Sequence, residues 1–154
     1  MRPTLGLIGW LVLTYAAALV GAQFMPGEWY AALRKPSWTP PSWLFAPVWT
    51  ALYAAMAVAA WLVWRKGAPL SVLPLGLFVA QLAANAVWSW LFFGLHRPGL
   101  ALADIIVLWV LIAACVVVFR RVSVPASVLM IPYLAWVTFA TALNGALWAM
   151  NRSA

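Results

Sequence analysis

The side chains in this sequence that could do chemistry are mostly aromatic rings and carboxamides, and they recur at a helical spacing. Phe45, Trp49 and Tyr53 are four residues apart, as are Gln81, Asn85 and Ser89, with Trp88 and Phe92 beside them. Trp136, Ala140 and Asn144 repeat the pattern. A step of four lays side chains along one stripe of an α-helix. Three such stripes meeting would wall an apolar pocket with a few polar handles, suited to a flat, greasy ligand held by stacking and burial. Asn85, Ser89 and Asn144 fit equally well as hydrogen-bonding bridges between helices. Arg34, Lys35 and Arg97 would stand near the rim, where they could meet carboxylates on a ligand or, just as well, lipid headgroups.

Other chemistries lack their residues. There is no G-x-x-x-x-G-K-[ST], no G-x-S-x-G and no H-E-x-x-H. His96 is the sole histidine and reads as a solvated loop residue before Arg97-Pro98, so no metal site is expected and haem held by two histidines of one chain is excluded. The two acids, Glu28 and Asp104, fall at different heights, which argues against paired acid–base catalysis. Asp104 reads as a structural acid bonding a neighbouring helix or the first loop, since a proton relay would lack a second acid in any helix. Cys115, the one cysteine, reads as a buried structural thiol.

The elements that must position these residues are set by composition. The 154 residues are 68% hydrophobic and 7% charged, against roughly 25% charged in a soluble domain. Lipid is the natural solvent for such a chain. Apolar runs at about 5–24, 43–64, 72–93, 99–119 and 124–149 are each long enough to cross a core of roughly 30 Å as a helix, which satisfies its own backbone there. The fold expected is an all-α membrane protein, a single domain over 1–154 built as a five-transmembrane-helix bundle.

Pro26-Gly27, Arg65-Lys66-Gly67, Arg97-Pro98-Gly99 and Arg120-Arg121 before Pro125 punctuate the spans. Val20-Gly21-Ala22 could pass for a signal cleavage site, but the run is longer than a signal core and is expected to be kept. The segment from Met25 to Ser42 holds Trp29, Tyr30, Trp38 and four prolines, too aromatic for a solvated linker. It is expected to fold over the bundle mouth as a long lid loop between the first two spans, with a short helix at 28–34.

Short connections make neighbouring spans antiparallel. The polar stripes then share the half of the membrane nearest the lid, except their deepest members, Gln81 and Trp136; in lipid such groups face the interior. Net charge is +7, yet the basic residues sit between apolar runs like interfacial anchors. No basic stripe lies along one face, so a nucleic-acid partner is not expected. Arg2, Arg65, Lys66, Arg120 and Arg121 fall on one side and Arg34, Lys35, Arg97 and Arg152 on the other, a balance that favours a cytoplasmic N-terminus. Trp10, Trp43, Trp61, Trp64 and Trp148 are expected in the interfacial belt. Gly76, Ala80 and Ala84 permit close approach of a second helix, from the same chain or from another subunit, with a homodimer the favoured expectation.

Certain motifs are more specific. Trp29-Tyr30-Ala31-Ala32-Leu33-Arg34-Lys35-Pro36-Ser37-Trp38-Thr39-Pro40-Pro41 resembles the W-Y-x-x-L-x-K-P-x-W-x-P-P signature of the TspO/translocator protein family. Trp49-Thr50-Ala51-Leu52-Tyr53-Ala54-Ala55-Met56 resembles its W-x-x-L-Y-x-x-M. Asn85-Ala86-Val87-Trp88-Ser89 is similar to the third-helix motif, and Pro132 through Asn144 to P-Y-L-x-W-x-x-F-A-x-x-L-N.

The resemblance implies a five-helix bundle whose first loop closes a pocket for porphyrins and synthetic aromatic ligands. By motif position Tyr30, Pro40, Phe45, Trp49, Tyr53, Asn85, Trp88, Ser89, Phe92, Trp136 and Ala140 would line it, and Asn144 joins them by its stripe. No bound cofactor is expected; a porphyrin such as protoporphyrin IX would be ligand or substrate. Three activities follow as expectations: a tetrapyrrole-binding sensor or regulator, an enzyme for light-dependent porphyrin breakdown with Trp49 and Trp136 as its redox pair, or a transporter of porphyrin or other lipophilic molecules. Leu143 through Arg152 lacks the tyrosine of the family's cholesterol motif, which lowers the expectation of sterol binding. Short loops without a targeting extension point to a bacterial inner membrane.

Overall fold

The computed structural model describes residues 2–24 and 26–152; the expected start of the lid at Met25 lies outside them. The regular structure among these residues is helical, and five of the helices are long and apolar enough to cross a membrane. They are α1 (Pro3–Ala22), α3 (Phe45–Trp64), α4 (Val72–Ser89), α5 (Pro98–Val122) and α6 (Val124–Asn151). Between the first two spans lies the short α2 (Glu28–Ala32), and a 3-10 turn at Ser42–Leu44 leads into α3. Pro3 and Pro98 sit in the first turns of their helices, where a missing N–H costs nothing.

One departure from the expected boundaries is in α5. It runs through Arg120 and Arg121 to Val122 instead of stopping at 119. Cations in a last turn interact favourably with the partial negative charge of a helix C-terminus. A single extended residue, Ser123, separates α5 from α6, and its Oγ accepts a hydrogen bond from the Ala126 N–H. The third span also ends unlike a plain α-helix: α4 passes into a π-helical turn, Trp90–Gly94.

In the bundle α5 packs against α4 and α6, α1 against α3 and α4, and α3 against α6. Met56, Ala60, Val63, Phe78, Ile112, Phe119 and Met130 are wholly enclosed in the core. Lipid tails are as apolar as leucine, so packing and hydrogen bonds, not exclusion from water, must hold such helices together. Close fits do so here. Gly6 lies directly beneath the Trp64 ring, with no room for a side chain. A side chain on Gly99 would meet Trp148 Nε1 at 2.9 Å. Trp61 Nε1 donates to the Pro3 carbonyl at 2.8 Å. Trp10 sets its edge on Phe78 with centroids 5.8 Å apart, which joins α1 to the core. Trp43 is 72% exposed.

Candidate functional site

Beneath the lid the ends of α1 and α4, the start of α3 and the later turns of α6 enclose a cavity of about 390 Å³. Every pocket residue expected from the sequence lines it except Pro40: Tyr30, Phe45, Trp49, Tyr53, Asn85, Trp88, Ser89, Phe92, Trp136, Ala140 and Asn144. Pro40 is half-buried in the segment leading to the 3-10 turn, and Ser42 is the residue of that stretch that reaches the wall. The three stripes therefore converge as their spacing implies.

Rings dominate the wall. Trp49 stands perpendicular to Trp136 with centroids 6.4 Å apart, and Phe45 meets Trp136 edge-on at 5.9 Å. Across the cavity Trp88 stacks on Phe92 at 5.3 Å. Phe93 also lines it, although in a regular helix it would point about 100° away from Phe92. The π-helical turn inserts a residue into the winding; such turns often occur at functional sites.

A hydrogen-bonded network forms the floor. Tyr53 OH donates to Asn85 Oδ1 at 3.3 Å, and Asn85 Nδ2 donates to the Tyr133 hydroxyl at 2.7 Å. That hydroxyl donates onward to Gln81 Oε1 at 2.7 Å. Side chains of α3, α4 and α6 are thereby tied together at the depth expected for Gln81. Asn144 is similarly engaged, accepting from Trp88 Nε1 at 2.9 Å and donating to the Pro98 carbonyl at 2.8 Å. Both amides are thus wall residues and helix bridges at once.

Trp136 Nε1 is buried without a hydrogen-bond partner among the described residues. Asp104 is outside the cavity wall, and among the described residues its buried Oδ2 has no hydrogen-bond partner. The buried stripe of α5 runs through Ala101, Ile105 and Leu108, and position 104 falls at its edge, about 60° from its centre.

The lid is held at several points. Tyr30 is 6% exposed, packed on Phe92 and Phe93, and burial raises its phenol above the usual 10.0, keeping it neutral. Trp29 stacks flat on His96 at 4.4 Å, so that histidine is exposed but not unengaged. The Asn151 amide clasps the backbone of Arg34, accepting from its N–H and donating to its C=O, both at 2.9 Å. Lys35 does not extend over the cavity: its Nζ donates to the carbonyls of Ala31 and Leu33 and lies 4.7 Å from the Tyr30 ring.

Sequence reasoning missed the contribution of α1. Ala18, Gly21, Ala22 and Phe24 form one side of the cavity, and a Cβ on Gly21 would come within 3.1 Å of Ser89 Oγ. The three that lie in α1 carry no polar side chain, so only their small size hinted at a wall, and Phe24 lies just past the helix end.

The fold and site define a multi-pass membrane protein with a ring-walled cavity beneath an aromatic loop. Its kinship follows from comparison with known proteins: the TspO/MBR family model matches residues 7–149, and the chain belongs to that family. It is 41% identical to the translocator protein of Homo sapiens over 97% of this chain and 92% of that one. With the tryptophan-rich protein TspO of Chlorobaculum tepidum the identity is 43%, over 90% and 91%. With the tryptophan-rich sensory protein of Cereibacter sphaeroides it is 43%, over 84% and 80%.

Proposed function

We propose that the chain binds a flat tetrapyrrole of the protoporphyrin IX type beneath the lid, and acts as a membrane sensor or regulator of such compounds. The observation that carries this reading is the cavity itself. Its volume of about 390 Å³ falls within the roughly 300–1,000 Å³ of small-molecule sites. Its faces are rings from α3, α4 and α6, and its amides are mostly occupied by the protein. Such a wall favours stacking and burial over polar readout. Protoporphyrin IX titrated into the full-length protein in detergent should quench tryptophan fluorescence saturably. Trp49→Phe and Trp136→Phe should each weaken binding by up to about tenfold, since an aromatic pair contributes roughly 0.5–1.5 kcal/mol. Non-saturable quenching, the same in both variants, would reject the proposal.

The perpendicular Trp49–Trp136 pair supports a second reading, light-dependent porphyrin breakdown. An excited porphyrin can take an electron from a nearby indole, and two indoles in contact could share the resulting hole. Illumination should then yield a new absorbing product that disappears in either Phe variant. Bleaching equal to that in empty detergent would dismiss catalysis.

Two features support a homodimer. Gly76 and Ala80 are exposed, and a Cβ at Gly76 would meet nothing within 4 Å, whereas Ala84 is half-buried against the core. We propose that a second copy packs on this face, so Gly76→Leu should shift cross-linked dimer to monomer. The proposed setting is a bacterial inner membrane with the basic end that includes Arg2 in the cytoplasm. The lid and the end of α6, joined through Asn151, would face outward.

A further inference from the structure

We infer that the end of the bundle farthest from the lid binds an anionic phospholipid in a groove between α5 and α6. An open groove of about 740 Å³ lies where the last turns of α5 meet the first turns of α6. Its apolar walls include Val117 from α5 and Val124, Val128 and Ile131 from α6, and Arg120 and Arg121 stand at its polar end. The three α6 residues follow one another at steps of four and three, a stripe about 10 Å long at the helical rise. It leads from the arginine pair towards the middle of the bilayer.

Three observations select the ligand class. First, both arginines are exposed and have no carboxylate within reach. Glu28 belongs to the lid, and Asp104 precedes Arg120 on the same helix by sixteen residues, about 24 Å of helix. Arg2, Arg65 and Lys66 share this end of the bundle, so the protein offers it no anion. Second, a guanidinium is a fork of donors matched to phosphate oxygens. Third, the one hydroxyl in the groove, that of Ser127, already donates to the Val116 carbonyl at 2.7 Å. The groove is therefore an apolar slot with two cations at its membrane-surface end. That is the complement of an acyl chain below an anionic headgroup, and basic pockets between transmembrane helices are known to hold such headgroups. A free anion would use the arginines and leave the slot without purpose.

The full-length protein in nanodiscs of equal phosphatidylglycerol and phosphatidylcholine, released for native mass spectrometry, tests the site. A retained phosphatidylglycerol adduct is expected, favoured over phosphatidylcholine by roughly tenfold or more, as two headgroup cations imply. Arg120→Gln with Arg121→Gln should abolish the preference, whereas Arg65→Gln with Lys66→Gln should keep it. Val128→Trp, which fills the slot and leaves the charges intact, should lower adduct retention as well.

Equal retention of the two lipids by the native chain would overturn the inference. So would equal losses in the two cation variants, which would mean diffuse surface charge. Displacement of the adduct by excess inorganic phosphate would mean a free-anion site, and loss of a second protein copy on Val128→Trp would mean an oligomer contact. Far-UV circular dichroism checks that each variant folds. Should the arginine variant fail that check, the lipid competition in the native chain and Val128→Trp decide the matter.

Discussion

Two neighbouring residues of α6 make opposite demands on stability. The Tyr133 hydroxyl is the joint of the floor network, bonded to Asn85 and Gln81 at 2.7 Å each. Tyr133→Phe would leave two buried amide groups unmatched, at about 1–3 kcal/mol each by soluble-protein values and somewhat less between membrane helices. A destabilisation of roughly 2–4 kcal/mol is expected, seen as a lowered melting midpoint in detergent. Trp136 is the contrary case, since its buried N–H has no partner to lose. Trp136→Phe removes that unmatched donor along with some packing, and the two effects oppose each other. Its midpoint should stay near that of the native chain, within about 1 kcal/mol. Any loss of porphyrin binding in Trp136→Phe then reports on the pocket and not on the fold. A midpoint drop as large as that of Tyr133→Phe would refute this division.

At the scale of elements, the lid depends on contacts from outside itself. A five-residue helix such as α2 is too short to persist alone in water, so its position must be imposed. The Asn151 clasp on Arg34 is the polar part of that constraint, and the Trp29–His96 stack and the packing of Tyr30 are the apolar part. Asn151→Ala removes both hydrogen bonds to the Arg34 backbone, worth roughly 0.5–1.5 kcal/mol each. Backbone amides of residues 33–35 should exchange with solvent several-fold faster, measured by hydrogen–deuterium exchange, and α3–α6 should keep their protection. Unchanged exchange at the lid would show that the aromatic contacts suffice without the clasp.

For the whole molecule, the cavity couples ligand to stability. A ligand that binds only the folded state adds about 2.7 kcal/mol at one hundred times its Kd. Protoporphyrin IX should therefore raise the melting midpoint of the native chain. Ala140→Trp, which places a ring in the cavity from α6, should remove that increment. An equal upward shift in both proteins would place the binding elsewhere, for instance in the detergent shell.

Much of this arrangement was readable before any coordinates. Lipid as solvent demands long apolar helices with satisfied backbones, so the five spans and their order follow from composition and breakers. Polar and aromatic residues at steps of four must share a stripe, and lipid drives such stripes inward; hence Trp49, Asn85 and Trp136 converge. What periodicity does not carry is winding and close approach. Phe93 reaches the wall through a π-helical turn, and α1 reaches it because Gly21 admits Ser89 closely; neither leaves a signal in residue spacing. Pro40 went the other way, because the path of an irregular segment depends on neighbours far along the chain. The partner of each buried amide and the anchor of the lid on Asn151 are long-range choices of the same kind, made only when the helices pack.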